Sequence, residues 1–275
     1  MITRIRAGTA LALVILVVLV IGYVIQRTVV AAVVRVVPSA RDRILAAWLA
    51  AVAASTLAIL HRVGGGQWNR PPRIPHDPGI LVLMNHQSLL DIPLVVQSVH
   101  GGYPLIVTRE RYLHAKYLLI SHILRLYRFP IVEPGRAAAS QIEGLRGFAR
   151  EAHHPMVIYP EGHRSRNGEL GPFKKGGLGG ILAARRWQVY LIVVDGFWQC
   201  ARLPDFLAGL AHMKGRIECL GPFDSPAEGE DPGPWIERMR ELMAMKLNDI
   251  RGLPGAASGP GRAVSGLTGL VRGEV

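Results

Sequence analysis

The sequence predicts an α/β domain with a mainly parallel sheet flanked by helices, preceded by an N-terminal membrane-anchoring helical segment. Three observations predict it. From Gly79 onward, short apolar runs alternate with helix-like stretches. Near the start, Ala7 to Gln26 is a run of 20 residues without a charge. Between the two lies a Gly- and Pro-rich passage, the usual punctuation of a boundary.

The apolar run comes first in the chain. At 1.5 Å per residue, a helix of about 20 residues crosses a hydrocarbon core of roughly 30 Å. A second uncharged run, Ile44 to Leu60, is Ala-rich and only 17 residues long, at the lower limit for a span. Arg4 and Arg6 would suit a cleaved signal peptide. However, the first run exceeds a usual signal core, continues beyond Arg27 as Thr28 to Val34, and has no small-residue cleavage site close behind it. A retained anchor over residues 1–63 is the expectation. Gly64-Gly65-Gly66 and Pro71 to Pro78 then read as a linker, residues 64–78.

The domain proper is expected over residues 79–251. Gly79 to Met84, Leu105 to Thr108, Met156 to Tyr159 and Val189 to Val194 are apolar without alternation, as strands covered on both faces are. Arg216 to Leu220 is a further strand candidate. Asp91 to Val99, His114 to Leu126, Arg136 to Ala152 and Lys174 to Arg186 lie between them and read as helices. Trp235 to Arg251 is a last helix, its Trp235, Met239, Leu242 and Met245 at packing intervals. After Gly252 the composition turns to Gly, Ala, Ser and Pro, and residues 252–275 are expected to be disordered.

The charge balance is 32 Lys and Arg against 20 Asp and Glu, a net +12 with a pI near 10.4. With an apolar N-terminus, such an excess suits anionic lipid head groups. It could also serve nucleic acid, but the aromatics do not interleave with a basic stripe and no nucleic-acid motif is present. The expectation is a bilayer partner and no nucleic acid. Arg27, Arg35, Arg41 and Arg43 follow the first run and outnumber Arg4 and Arg6 before it. That places the domain on the cytoplasmic side if Ile44 to Leu60 lies on the surface; if both runs cross, orientation rests on the N-terminus instead. Cys200 and Cys219 have neither metal nor disulfide spacing. The histidines form no ligand set, and His153 and His154 are adjacent, so no metal is expected.

Chemistry is concentrated in two segments. The first, Asn85-His86-Gln87-Ser88-Leu89-Leu90-Asp91, directly follows the first strand. On a regular helix, His86 and Asp91 would point about 140° apart. They meet only if His86 sits in the strand-to-helix turn. Ser88 with Asp91 three positions later resembles a capping box, which would start the helix at Ser88 and leave His86 on the loop. A His at the C-terminal end of a strand is where α/β sheets place their sites. A carboxylate behind it fixes its tautomer and makes it a general base. With no Ser or Cys placed as a nucleophile, the base would activate a substrate hydroxyl. The plainer alternative leaves Asp91 as a cap and His86 as a loop residue.

The second segment is Tyr159-Pro160-Glu161-Gly162-His163-Arg164-Ser165, followed by Phe173-Lys174-Lys175-Gly176. A strand ends, the chain turns, and Arg164, Lys174 and Lys175 become available. Gly allows close backbone approach and Arg offers a fork for phosphate. A helix starting near Lys174 would add its positive end. Arg136, after Glu133-Pro134-Gly135, is a weaker anion candidate.

Together these segments resemble the lysophosphatidic acid acyltransferase family, a glycerolipid acyltransferase group. Its N-H-x4-D motif is present as Asn85-His86 to Asp91, and its Glu-Gly-Thr-Arg-Ser motif as Glu161-Gly162-His163-Arg164-Ser165, with His163 in place of Thr. The Phe-Lys-Lys-Gly block also matches, and the resemblance covers roughly Gly79 to Val194. It implies that His86 is the catalytic base with Asp91 its partner. It further implies that Asn85, Glu161, Gly162, Arg164 and Ser165, with Arg136 and Lys174, line the acceptor site. The expected reaction moves a fatty acyl group from acyl-CoA or acyl carrier protein to the hydroxyl of 1-acyl-sn-glycerol-3-phosphate, with no cofactor. Glycerol-3-phosphate or another lyso-lipid is the alternative acceptor. A membrane-tethered lipid- or nucleic-acid-binding module is the alternative of another class. Two departures bear on acceptor recognition: Pro134 and Gly135 separate Glu133 from Arg136, and Leu191 to Val194 lacks the family's Pro.

Overall fold

The structure, a computed structural model, describes residues 2–114, 118–133, 139–200 and 213–253. The tail expected to be disordered lies almost wholly outside the described residues, as does Arg136.

Among the described residues, the central sheet has five strands. They are β2 (Ile80–Met84), β4 (Leu105–Ile106), β7 (Met156–Ile158), β8 (Gln188–Asp195) and β9 (Arg216–Asp224), ordered β4-β7-β2-β8-β9. The first four run parallel and β9 closes the edge antiparallel to β8. The mainly parallel sheet expected from the apolar runs is thus present. β2 lies at the centre, every residue buried, with Leu83 opposite Ile158 on one side and Leu191 on the other. The chain visits β4 and β7 on one side of β2 and then crosses to β8 on the other. That reversal opens a crevice at the C-terminal ends of β2 and β7, where open α/β sheets bind ligands.

Two short parallel ribbons accompany the sheet: β1 (Ile74–Pro75) with β3 (Val99–His100), and β5 (Thr108–Arg109) with β6 (Ile131–Val132). The single strand expected over Leu105 to Thr108 is therefore split. Leu105 and Val107 donate to the Pro155 and Val157 carbonyls along β7, so the N–H of Thr108 points to the other side, where it meets the Pro130 carbonyl at 2.9 Å and pairs with β6.

The helices of the domain are α4 (Asp91–Ser98), α5 (Leu118–Leu126), α6 (Ala139–Glu151), α7 (Lys175–Leu182) and α8 (Pro232–Arg251). They follow three elements at the N-terminus. α1 (Ile2–Ile25) runs through a π-helical turn (Gln26–Val30) into α2 (Ala31–Val36), and α3 (Arg41–Arg62) follows the turn at Pro38–Ala40. Gly8–Val36 and Pro38–Arg62 are each long and apolar enough to cross a membrane. Their environments differ. Leu13, Leu16, Val17, Ile21 and Val24 of α1 stand 49–61% exposed, a face that water does not favour. α3 buries a stripe at helical spacing, Leu45, Leu49, Ala53, Leu57 and Leu60, and packs on α4 and α1.

The Gly- and Pro-rich passage read as a linker is stitched to the domain. Gln67 donates its N–H to the Met213 carbonyl at 2.7 Å. The Asn69 amide pairs with both backbone groups of Ile217, at 2.6 and 2.8 Å.

At the far end of the chain, Gly252 takes the left-handed conformation (φ 66°) that terminates α8. The preceding Arg251 forks onto both Asp195 carboxylate oxygens at 3.0 and 2.8 Å, and donates to the Gly168 carbonyl at 2.6 Å. One side chain thus ties α8, the end of β8 and the second motif loop. Burial pushes the Asp195 carboxyl pKa up, but hydrogen bonds from Arg251 and Gln87 outweigh it and hold the carboxyl below its ordinary 3.8. A depressed folded-state pKa stabilises at pH values above the ordinary one, and that contribution is lost as pH falls below it. Asp195→Asn should therefore cost about 1.5–3 kcal/mol at pH 7. The gap to wild type should narrow below about pH 3.8 in denaturant unfolding of the detergent-solubilised protein.

Candidate active site

The first motif begins where β2 ends. Asn85 is buried, and its amide pairs with the backbone of Val194: Nδ2–H to the carbonyl at 2.9 Å, and the Val194 N–H to Oδ1 at 2.8 Å. This brace pins the end of β2 to β8 and turns the chain into the loop. His86 follows, with a side chain 17% exposed. Asp91 is fully buried, and its Oδ2 collects three hydrogen bonds: from His86 Nδ1 at 2.7 Å, Gln87 N–H at 2.6 Å and Ser88 N–H at 2.9 Å. An ionised carboxylate only accepts, so Nδ1 carries the proton and Nε2 keeps its lone pair for whatever enters the cavity.

α4 begins at Asp91, as the helix-like stretch Asp91 to Val99 predicts, and not at Ser88 as the capping-box reading has it. The carboxylate half of the capping box forms, but Ser88 Oγ accepts from Leu90 N–H at 3.0 Å instead of from Asp91. The loop gains three residues, and those residues bring Asp91 back under His86. On its other side, His86 stacks on the ring of Tyr159, with centroids 4.2 Å apart and planes at 23°.

The second motif follows β7, the neighbour of β2, so the two loops meet across the crevice. The two loops are bonded in both directions. Glu161 Oε1 accepts from His86 N–H at 2.9 Å, and Ser165 N–H donates to the His86 carbonyl at 2.6 Å. Glu161 Oε2 accepts from Gly171 N–H at 2.8 Å. The Glu161 side chain is buried, which pushes its carboxyl pKa up, and its two backbone donors oppose that shift. Gly162 needs its φ of +70°, and a Cβ there would come within 3.0 Å of the Lys174 side chain. Lys174 is the N-cap residue of α7, and Gly176 and Gly177 of its first turn line the cavity, bringing the positive end of the helix to the wall.

A cavity of about 1260 Å³ occupies the crevice. Its polar lining includes His86 and the cations Arg109, Arg111, Arg164 and Lys174, with the carboxylates Glu133 and Glu169, and its apolar wall includes Ile92, Ile106, Ile123, Leu124, Ile142 and Leu178. Of the residues expected at the site, His86, Gly162, Arg164, Ser165 and Lys174 line this cavity, with Asp91 directly behind His86. Asn85 and Glu161 do not line it. Both are buried braces with every polar atom engaged by backbone, so neither has a group to offer a phosphate. The Ser165 hydroxyl is likewise engaged, with the Glu169 carbonyl at 2.9 Å.

Sequence reasoning missed Arg109. It donates to the Gly162 carbonyl, and burial together with the Arg111 and Arg164 charges lowers its pKa. Guanidinium groups held this close attract an anion. The signal was present, because Arg109 follows the expected strand Leu105 to Thr108 just as His86 follows β2. Tyr159 was quoted only as part of its motif, since stacking partners leave no spacing rule. Glu161→Gln keeps one acceptor but turns an NH2 toward a buried N–H. It should cost about 1.5–3 kcal/mol in denaturant unfolding, whereas Arg164→Ala should leave stability within about 0.5 kcal/mol.

Comparison with known proteins follows this geometry. Residues 68–194, which hold both motif loops, match the family model described as Acyltransferase. A 1-acyl-sn-glycerol-3-phosphate acyltransferase from Cocos nucifera is 30% identical over 96 residues, 35% of this chain and 31% of that protein. The chain thus matches about a third of the length of that relative. The crystal structure of the 1-acyl-sn-glycerophosphate (LPA) acyltransferase from Thermotoga maritima superposes with a TM-score of 0.61 over 87% of this chain and 98% of that one. At 14% identity, that is a likeness of fold. The segment that carries His86, Asp91 and the basic loop is thus the part of the chain that matches the acyltransferase family model.

Proposed function

We propose that the chain transfers a fatty acyl group from acyl-CoA or acyl carrier protein to the hydroxyl of 1-acyl-sn-glycerol-3-phosphate, forming phosphatidate. One observation carries this reading. The His86–Asp91 pair opens into one cavity lined both by the cations Arg109, Arg111, Arg164 and Lys174 and by an apolar wall. A lysophosphatidate has the matching halves, a phosphomonoester and an alkyl chain, with the reacting hydroxyl between them.

In the reaction, Nε2 of His86 takes the proton from the acceptor hydroxyl as its oxygen attacks the thioester carbonyl. The tetrahedral intermediate collapses, the C–S bond breaks, and the imidazolium returns the proton to the departing thiolate. Asp91 holds the imidazole in the tautomer this needs and stabilises its cationic form. The step needs no metal or cofactor. Arg109, Arg164 and Lys174 would hold the acceptor's phosphate, with bidentate contacts available to the guanidiniums. The exposed apolar face of α1 would place the protein on a bilayer, from which both lipid substrates are drawn. Arg27, Arg35, Arg41 and Arg43 would favour the cytoplasmic leaflet. Glycerol-3-phosphate or another lyso-lipid is the alternative acceptor.

Acyl transfer from labelled acyl-CoA to lysophosphatidate in detergent tests the proposal. His86→Ala should lose at least about a hundredfold in kcat while still folding. Arg109→Ala should raise the acceptor KM about tenfold or more, with a smaller change in kcat, since a phosphate contact made equally in ground and transition states acts through binding. A wild type silent with every lyso-acceptor and both thioester donors would overturn the reading. Full activity in His86→Ala would overturn the role of His86.

A further inference from the structure

Gln26 is out of place by composition. It closes an uncharged run of Leu, Val and Ile, yet it is 4% exposed, and a buried amide is unfavourable unless both of its ends are bonded. Both are. Trp48 of α3 donates its indole N–H to Gln26 Oε1 at 3.0 Å, and Gln26 Nε2 lies 2.8 Å from His122 Nδ1 of α5.

The donor and acceptor roles follow by elimination. An indole nitrogen can only donate, so the amide oxygen must face Trp48. The NH2 then faces His122, and Nδ1 must accept. His122 is therefore the neutral imidazole with its proton on Nε2. Burial, with the Arg27 and Arg125 charges, lowers its pKa in the same sense. The Tyr23 ring meets His122 edge-on at 5.7 Å, and Arg27 donates to the Tyr23 hydroxyl at 3.1 Å. The backbone also departs from the α-helix here: Gln26 opens the π-helical turn, a local widening that re-aims side chains.

His122 is adjacent in sequence to Ile123 and Leu124, and both line the apolar wall of the cavity, as does Ile120. We propose that Gln26 is a positioning residue for that wall: from within the N-terminal apolar helix, it clasps α5 through His122 and α3 through Trp48. Seating of the apolar helix and the shape of the apolar wall are thereby coupled. What the wall holds rests on the acyl-transfer reading above; the clasp itself does not.

Two measurements on the full chain in detergent separate the two ideas. Gln26→Leu suits an apolar helix but removes both hydrogen bonds. Amide hydrogen exchange over residues 118–126 should speed up about fivefold or more. KM for lysophosphatidate should rise about fivefold while kcat stays within about twofold, the signature of lost binding without lost chemistry. His122→Leu should reproduce both effects. His122→Gln supplies a carbonyl acceptor in place of Nδ1 and should restore them toward wild type. The His122 pair leaves the apolar helix untouched, so the test survives if Gln26→Leu does not fold. Exchange over 118–126 that is unchanged in Gln26→Leu and His122→Leu overturns the clasp. Altered exchange in a protein that transfers no acyl group upholds the clasp and overturns the functional reading instead.

Discussion

Two loops that follow neighbouring parallel strands must satisfy their own backbone, and buried carboxylates do it. Asp91 gathers the N–H groups of Gln87 and Ser88 together with the His86 ring. Glu161 bridges the His86 N–H and the Gly171 N–H, and Ser165 returns a bond to the His86 carbonyl. A buried N–H left without an acceptor would cost about 1–3 kcal/mol. These contacts therefore fix the separation of the two loops, and with it the distance between the base and the basic residues of the second loop.

The same arrangement sorts charge by burial. The motif carboxylates Asp91 and Glu161 are buried and held by donors. The cationic groups Arg109, Arg164 and Lys174 line the cavity together with Ile and Leu side chains. An amphiphile with one phosphate presents the complementary pair, an anion and a hydrocarbon chain.

The N-terminal helices belong to this picture physically as well as by order. α3 is apolar because its stripe is core, packed on α4, whereas α1 is apolar toward the outside. Within them, Gln26 accepts from Trp48 and donates to His122. A helix whose outer face suits lipid is thereby keyed to the wall of the reaction cavity.

The local pattern of the sequence determined which stretches become strands, because strands covered on both faces must be apolar throughout. It also determined that His86 and Asp91 meet only through a turn, because helical geometry forbids the alternative. Tertiary structure decided what their neighbours do. Asn85 and Glu161 sit inside motifs that resemble ligand-binding ones, yet they brace backbone, since β8 lies beside Asn85 and the first loop beside Glu161. Arg109 joined the site because its strand ends at the same crevice. Gln26 found its partners 22 and 96 residues away. Periodicity and spacing report what a segment buries. Which strand or helix lies alongside is set by packing across the whole chain, and no local pattern carries it.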